Sequence, residues 1–158
     1  MKGTGQSCTV VLVANGFEEA ETVALLSLLR QAGLCIKSVG LVSGLIEGAR
    51  GLSIRPDLTL ADLESPEHTI AINAVILPEG KPSLARLEAD PRVHKLLKQV
   101  MAKQGLVITS REGLRVVRAA LWGNPTGHDG DELSSTVIVR EPQAPFESFV
   151  RDLVRRLQ

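Results

Sequence analysis

The sequence predicts a three-layer α/β sandwich, with a mainly parallel β-sheet between helices on both faces. Near-continuous apolar runs such as Thr9–Ala14 and Ile70–Leu77 have the character of strands buried on both sides. Helical segments alternate with those runs, the order that produces parallel strands. The chain has 158 residues, 44% of them hydrophobic, enough for one domain with a proper core. The domain is expected to span 1–158, with residues 1–7 as a flexible N-terminus.

Taken in order, Thr9–Ala14 is the first strand, broken by Asn15-Gly16. A helix follows from about Glu18 to Ala32 and stops at Gly33, a favoured residue just past a helix end. Glu18, Glu19 and Glu21 lie in its first turn and Arg30 near its end, matching the helix dipole. Cys35–Ser43 is the second strand, Gly44–Ala49 a turn and Leu52–Ile54 a short extended piece. Ile70–Leu77 is a buried strand ended by Pro78. Asp90 as N-cap and Pro91 at the first helical position open the clearest helix. Val93, Leu96, Leu97, Val100 and Met101 share one face of it, and Gly105 closes it. Leu106–Thr109 is a strand, Gly113–Trp122 a helix and Thr136–Val139 the last strand. Phe149, Val150, Leu153, Val154 and Leu157 form the apolar stripe of a final helix.

Composition removes several functions. Lys+Arg and Asp+Glu both total 18, so there is no basic excess for nucleic acid. Aromatic content is 3%, with no Tyr, too little for base-stacking platforms. No apolar run is long enough to span a bilayer, and Met1–Ser7 lacks the apolar core of a signal peptide. A cytoplasmic protein is the expectation. Cys8 and Cys35 form no CxxC, have no zinc-like His spacing, and read as buried, unreactive thiols. No two of the three histidines are spaced as a metal pair, and no cofactor is implied.

In open parallel sheets, ligands bind at the carboxyl ends of the strands. Four loops fall there: Asn15-Gly16-Phe17, Ser43-Gly44, Pro78-Glu79-Gly80 and Ser110-Arg111-Glu112. The last runs from a buried strand through a tight turn into a helix, the place where α/β enzymes present a nucleophile. Its apex is Arg111, which cannot be one.

At these loops the chain resembles the ThiJ/PfpI superfamily, over roughly residues 8–120 and weakly again over 136–157. Val11–Thr22 resembles the family's strand, glycine turn and "EExE" helix start. Arg50-Gly51 and Pro56–Asp62 match the next characteristic stretch, and Val75–Gly80 resembles its "LPGG" loop. Arg111-Glu112-Gly113 aligns with the elbow that carries the family cysteine. The resemblance implies the flavodoxin-like (Rossmann-like) form of the fold. It also implies that Glu21 matches the carboxylate that hydrogen-bonds the nucleophilic cysteine, and that Gly80 matches an oxyanion-hole donor. The departures are Arg111 for the cysteine, Glu79 for the first glycine of "LPGG", and Glu141–Ala144 for a "GPGT" turn. After the elbow helix, Gly123–Glu132 replaces a longer segment bearing a pocket histidine, so the fold reads as truncated there.

The candidate pocket is therefore Glu21, Glu79, Gly80, Ser110, Arg111 and Glu112. Three readings of Arg111 stay open: it extends into solvent, it pairs with Glu21 (and Glu79) to plug the pocket, or that pair holds a small anion or polar ligand. Ser110 with His128 is a further nucleophile–base candidate. His94 is expected to face solvent, His68 to be incidental and Trp122 to anchor packing. The sequence favours a catalytically inactive member with a binding, structural or regulatory role. The alternative is an active glyoxalase, deglycase, amidase or chaperone-like hydrolase using Glu21 or Ser110. The resemblance also implies a homodimer, paired through the first helix and the strand after Arg50-Gly51.

Overall fold

A computed structural model describes residues 6–67, 69–124, 133 and 135–158. Six strands form one sheet in the order β5-β2-β1-β6-β7-β8, and every pairing is parallel. These are β1 Cys8–Val13, β2 Ile36–Gly40, β5 Leu58–Thr59, β6 Ile72–Ile76, β7 Leu106–Ser110 and β8 Val137–Arg140. A separate antiparallel hairpin joins β3 Ile46–Glu47 to β4 Ser53–Ile54. Without the short edge strand β5, the order is that of the flavodoxin-like fold. It reverses between β1 and β6, so a crevice opens beyond their carboxyl ends.

Alternation along each strand divides the core in two. Val10, Leu12, Val75, Val107 and Val137 face α2 Leu60–Glu64, α3 Lys81–Ala89, α4 Pro91–Ala102 and α5 Leu114–Trp122. Val11, Ala74, Ile76, Ile108 and Ile138 face α1 Glu19–Gln31 and α6 Phe146–Leu157. All six residues of β1 are buried, which explains its continuous apolar run. Burying each leucine of this core contributes about 1.5–3 kcal/mol. A third cluster, Val13, Phe17 and Ile46, seats the hairpin on the carboxyl end of β1.

The expected strands and the helices at 18–32, 90–105, 113–122 and 149–157 are present with shifted ends: the first three helices are shorter, whereas the last begins earlier, at Phe146, and β7 and β8 each run one residue further, to Ser110 and Arg140. The second strand stops at Gly40 rather than Ser43, and Ile46–Glu47 within the expected turn is a strand. Two helices were not legible. In α3 the buried residues are only Ser83, Leu84 and Leu87, so its apolar stripe is weak. The five-residue α2 is announced by polar residues alone: Thr59 and Asp62 form a capping box. Between α5 and β8 no further strand or helix occurs among the described residues.

The reading of Cys8 and Cys35 as free thiols is corrected: they form a disulfide. Parallel pairing of Thr9 with Ile36 brings the two residues before them side by side, with Cα atoms 4.7 Å apart. The sequence signal was a cysteine at the start of each of two strands, but without the register the pairing was invisible. The bond closes a loop across a separation of 27 residues. Chain-entropy arguments give such a crosslink about 3–4 kcal/mol. Reduction, or Cys35→Ser, is expected to lower stability by that amount in urea melts. A non-reduced digest should contain the peptide of Cys8 linked to that of Cys35; finding both thiols free to alkylate in the oxidised protein would overturn the assignment.

Candidate functional site

The elbow is built from buried hydroxyls. Thr109 and Ser110 end β7 inside the protein, at 3% and 5% exposure. Thr109 Oγ1 donates to the Leu77 carbonyl at 3.4 Å, and Ser110 Oγ accepts from the Gly113 N–H at 3.4 Å. A Cβ on Gly113 would lie 1.7 Å from Thr109 Oγ1, so only glycine lets α5 begin this close to the strand. Arg111 itself is unstrained. Among the described residues only Gln104 carries a positive φ without being glycine, so the apex lacks the left-handed backbone that would mark stored strain.

Glu21 and Arg111 do not meet, so of the three open readings of Arg111 the structure has the first, extension into solvent, and not the pairing with Glu21. Arg111 extends outward and pairs with Glu141 at 2.8 Å, with side chains 67% and 61% exposed. A pair in that setting adds little to stability. The arginine that meets Glu21 is Arg140. It ends β8, in register with Ser110 of β7. Period-two alternation places it on the side of Ile138, facing α1 and α6. There the Glu21 carboxylate, from the first turn of α1, accepts a charge-assisted hydrogen bond from it.

Two rings complete the enclosure. The Arg140 guanidinium carbon lies 5.2 Å from the centroid of Phe146 and 5.4 Å from that of Phe149. The rings are three residues apart on α6, so both present to the same spot. Such contacts favour a cation over an aromatic face. The Arg140 side chain is left 14% exposed, and its hydrogen bond to Glu21 raises its pKa further. Its Nε–H is buried with no partner. An unsatisfied buried donor costs about 1–3 kcal/mol.

Glu79 stands on the neighbouring loop. Burial raises its carboxyl pKa first, then the charge of Glu21; Arg140 pulls the other way, and Glu112 and Glu18 add smaller upward pushes. Gly80 has φ +125°, and a Cβ there would meet the Gly16 carbonyl oxygen at 2.5 Å. The loops at the ends of β1 and β6 are thus in backbone contact, and the Glu18 N–H donates to the Glu79 carbonyl at 2.8 Å. Glu112 remains at the rim, 3.9 Å from Lys81 Nζ on the surface. What is left between Glu21, Glu79, Thr109, Ser110, Arg140 and the two rings is a cavity of about 40 Å³, room for a water or two.

The three acids of the "EExE" start do separate work. Glu18 caps α1, accepting from the N–H groups of Ala20 and Glu21. Glu19 reaches the hairpin loop and accepts from the N–H groups of Arg50 and Leu52. Glu21 alone enters the pocket. His94 is half-buried rather than solvent-facing, with Nε2 2.6 Å from the Glu88 carbonyl oxygen. Trp122 is 39% exposed, not a buried anchor. His68 and His128 lie outside the described residues, and with His128 the suggested partner of Ser110. No group of three metal-ligating side chains occurs among the described residues.

Arg140, Phe146 and Phe149 are the pocket residues that sequence reasoning missed. Ending the last strand at Val139 removed Arg140 from view, and Phe149 was read only as core. The available signal was the alternation of β8, which places Arg140 on the face of Ile138.

Residues 8–120 match the DJ-1/PfpI family. A curated relative, the Parkinson disease protein 7 homolog of Danio rerio, is 30% identical over 99 residues, 62% of this chain and 51% of that one. The match therefore spans about half the length of that relative. A solved cysteine-to-alanine mutant of a DJ-1 superfamily protein from Salmonella typhimurium is 23% identical, with a TM-score of 0.78 over 96% of this chain and 90% of that one. DJ-1beta of Drosophila melanogaster superposes with a TM-score of 0.76 over the same shares, at 21% identity. At these identities the two structures speak to the fold alone.

Two outcomes follow from the charges. In a double-mutant cycle read by urea melts, Glu21→Gln and Arg140→Met should show a coupling of about 1–3 kcal/mol. Arg111→Ala should stay within about 0.5 kcal/mol of the parent. A large effect at Arg111 with none at Arg140 would reverse the assignment. The second outcome concerns pH. Glu79 titrates higher folded than unfolded, so its contribution is fully present below the ordinary value of 4.5 and is lost as pH rises through the folded value. Glu79→Gln should accordingly be more stable than the parent at pH 7. That advantage should vanish below pH 4.5 in the same melts.

Proposed function

The chain belongs to the DJ-1/PfpI family, and from that premise we propose a single-domain, catalytically inactive member that works by binding, assembly or regulation. The observation that carries this reading is the fate of the two groups a cysteine site would need. The apex residue is Arg111, exposed and paired with Glu141. The carboxylate that would activate a thiolate, Glu21, is committed to Arg140. Cys8 and Cys35 are bonded to each other, so neither supplies a thiol in the oxidised chain. Ser110, the remaining hydroxyl candidate, is buried and accepts from Gly113.

Catalysis also requires oxyanion donors aimed into a shaped pocket. Here the space beside Glu21 admits little more than water. The purified protein should show no turnover of methylglyoxal or of amide and ester substrates. Arg111→Cys alone should not create it, because the introduced thiol would sit on an exposed, unstrained turn. Turnover abolished by Glu21→Ala or Ser110→Ala would sink the inactive reading and establish the rearranged enzyme instead.

The same reading includes a homodimer. Val23 and Leu28 on α1 and Leu45 and Leu52 at the hairpin are large apolar residues left exposed. Exposed apolar surface on the elements that the dimer reading pairs is what association would cover. Light scattering at micromolar concentration should give twice the chain mass, and Val23→Glu should halve it; a clean monomer for the parent would refute the dimer. A cytoplasmic setting belongs to the reading as well. There the Cys8–Cys35 bond has to withstand a reducing thiol pool. Alkylation of cell extracts under acid quench reports whether it does. No helix among the described residues is long and apolar enough to cross a membrane.

A further inference from the structure

The enclosure around Arg140 has the parts of a receptor for a cation, and a segment of the chain itself sits in it. Two of the three phenylalanines in the sequence, Phe146 and Phe149, face the guanidinium at 5.2 and 5.4 Å. Glu21 supplies the counter-charge, and Glu79 adds a second carboxylate that acts on the same guanidinium. Aromatic faces combined with carboxylates select delocalised, weakly hydrated cations over a compact ammonium. The occupant fits incompletely: its Nε–H is buried without a partner beside unfilled space of about 40 Å³. The enclosure also lies in the crevice beyond the carboxyl ends of β1, β6 and β7, where open parallel sheets bind ligands.

We propose that this pocket is a guanidinium-binding site, filled in cis by Arg140, that takes the guanidinium group of a ligand in its place. The ligand is a guanidino compound or the arginine side chain of a polypeptide. Arg140 then acts as an intramolecular competitor at the end of an edge strand, and the apparent affinity for a ligand falls by the fraction of time it occupies the site. The proposal rests on the inactive reading above and names the ligand class of the same pocket.

The test is a titration followed by the ring resonances of Phe146 and Phe149, with guanidinium chloride and N-acetyl-arginine amide as probes and equal ammonium chloride as control. The parent should show saturable shifts at both rings with the guanidinium probes and none with ammonium. Arg140→Ala should bind at least about tenfold more tightly, because the competitor is gone. Its melting temperature should also rise by about 3–6 °C with 20 mM guanidinium chloride, as expected for a ligand that binds only the folded state. Adding Glu21→Gln to Arg140→Ala should abolish both effects. Response to both probes assigns the site to arginine side chains; response to guanidinium alone assigns it to small guanidino compounds.

If Arg140→Ala does not fold, Arg140→Gln, shorter and uncharged but polar, replaces it in the same comparison. Equal affinity in parent and Arg140 variant, or shifts that miss the two rings, would overturn the proposal. The same samples are assayed for methylglyoxal turnover. Absent binding with absent turnover refutes this site and leaves the inactive reading standing, whereas turnover that Glu21→Ala or Ser110→Ala abolishes refutes that reading whatever the rings report.

Discussion

Everything in this molecule is arranged around a parallel sheet that must be dry on both faces. β1 meets that demand with six buried residues in succession, and each neighbouring strand repeats the alternation on its own scale. Parallel pairing sends every connection back across a face, so helices cover both sides and all strand ends of one kind gather at one rim. That geometry, more than any single side chain, brings α1, the β6 loop, the elbow and the end of β8 within reach of one another. The pocket is a by-product of how the sheet is covered.

Within that frame the polar residues at the rim divide the labour by position. Glu18 faces its own helix end, Glu19 faces the hairpin and Glu21 faces the crevice, although the three lie within four residues. The helical turn of 100° per residue is enough to send each to a different partner. The same principle separates Arg111 from Arg140. One follows the end of β7 and leans into solvent; the other is the last residue of β8 and keeps the inward face of its strand.

The sequence disclosed what depends on local pattern. Buried strands, amphipathic helices and the position of the elbow are short-range signals, and Asp90-Pro91 marks a helix start without any help from the rest of the chain. It did not disclose what depends on register. The Cys8–Cys35 bond requires that Thr9 lie opposite Ile36, and the Glu21–Arg140 pair requires that β8 lie beside β7 in a particular alignment. Both are contacts between residues far apart in the chain, set by strand pairing rather than by spacing. The helix at 81–89 was hidden for another reason: its apolar face is too small to stand out from a polar loop.

The disulfide sits at the amino ends of β1 and β2, the rim opposite the pocket. Its removal breaks no contact of the pocket residues and changes the freedom of the unfolded chain. One sequence thus has two folding equilibria, one for each oxidation state. The thiol potential of the surroundings sets the balance between them, so the lifetime of the scaffold against proteolysis is tied to redox conditions through a bond remote from the pocket.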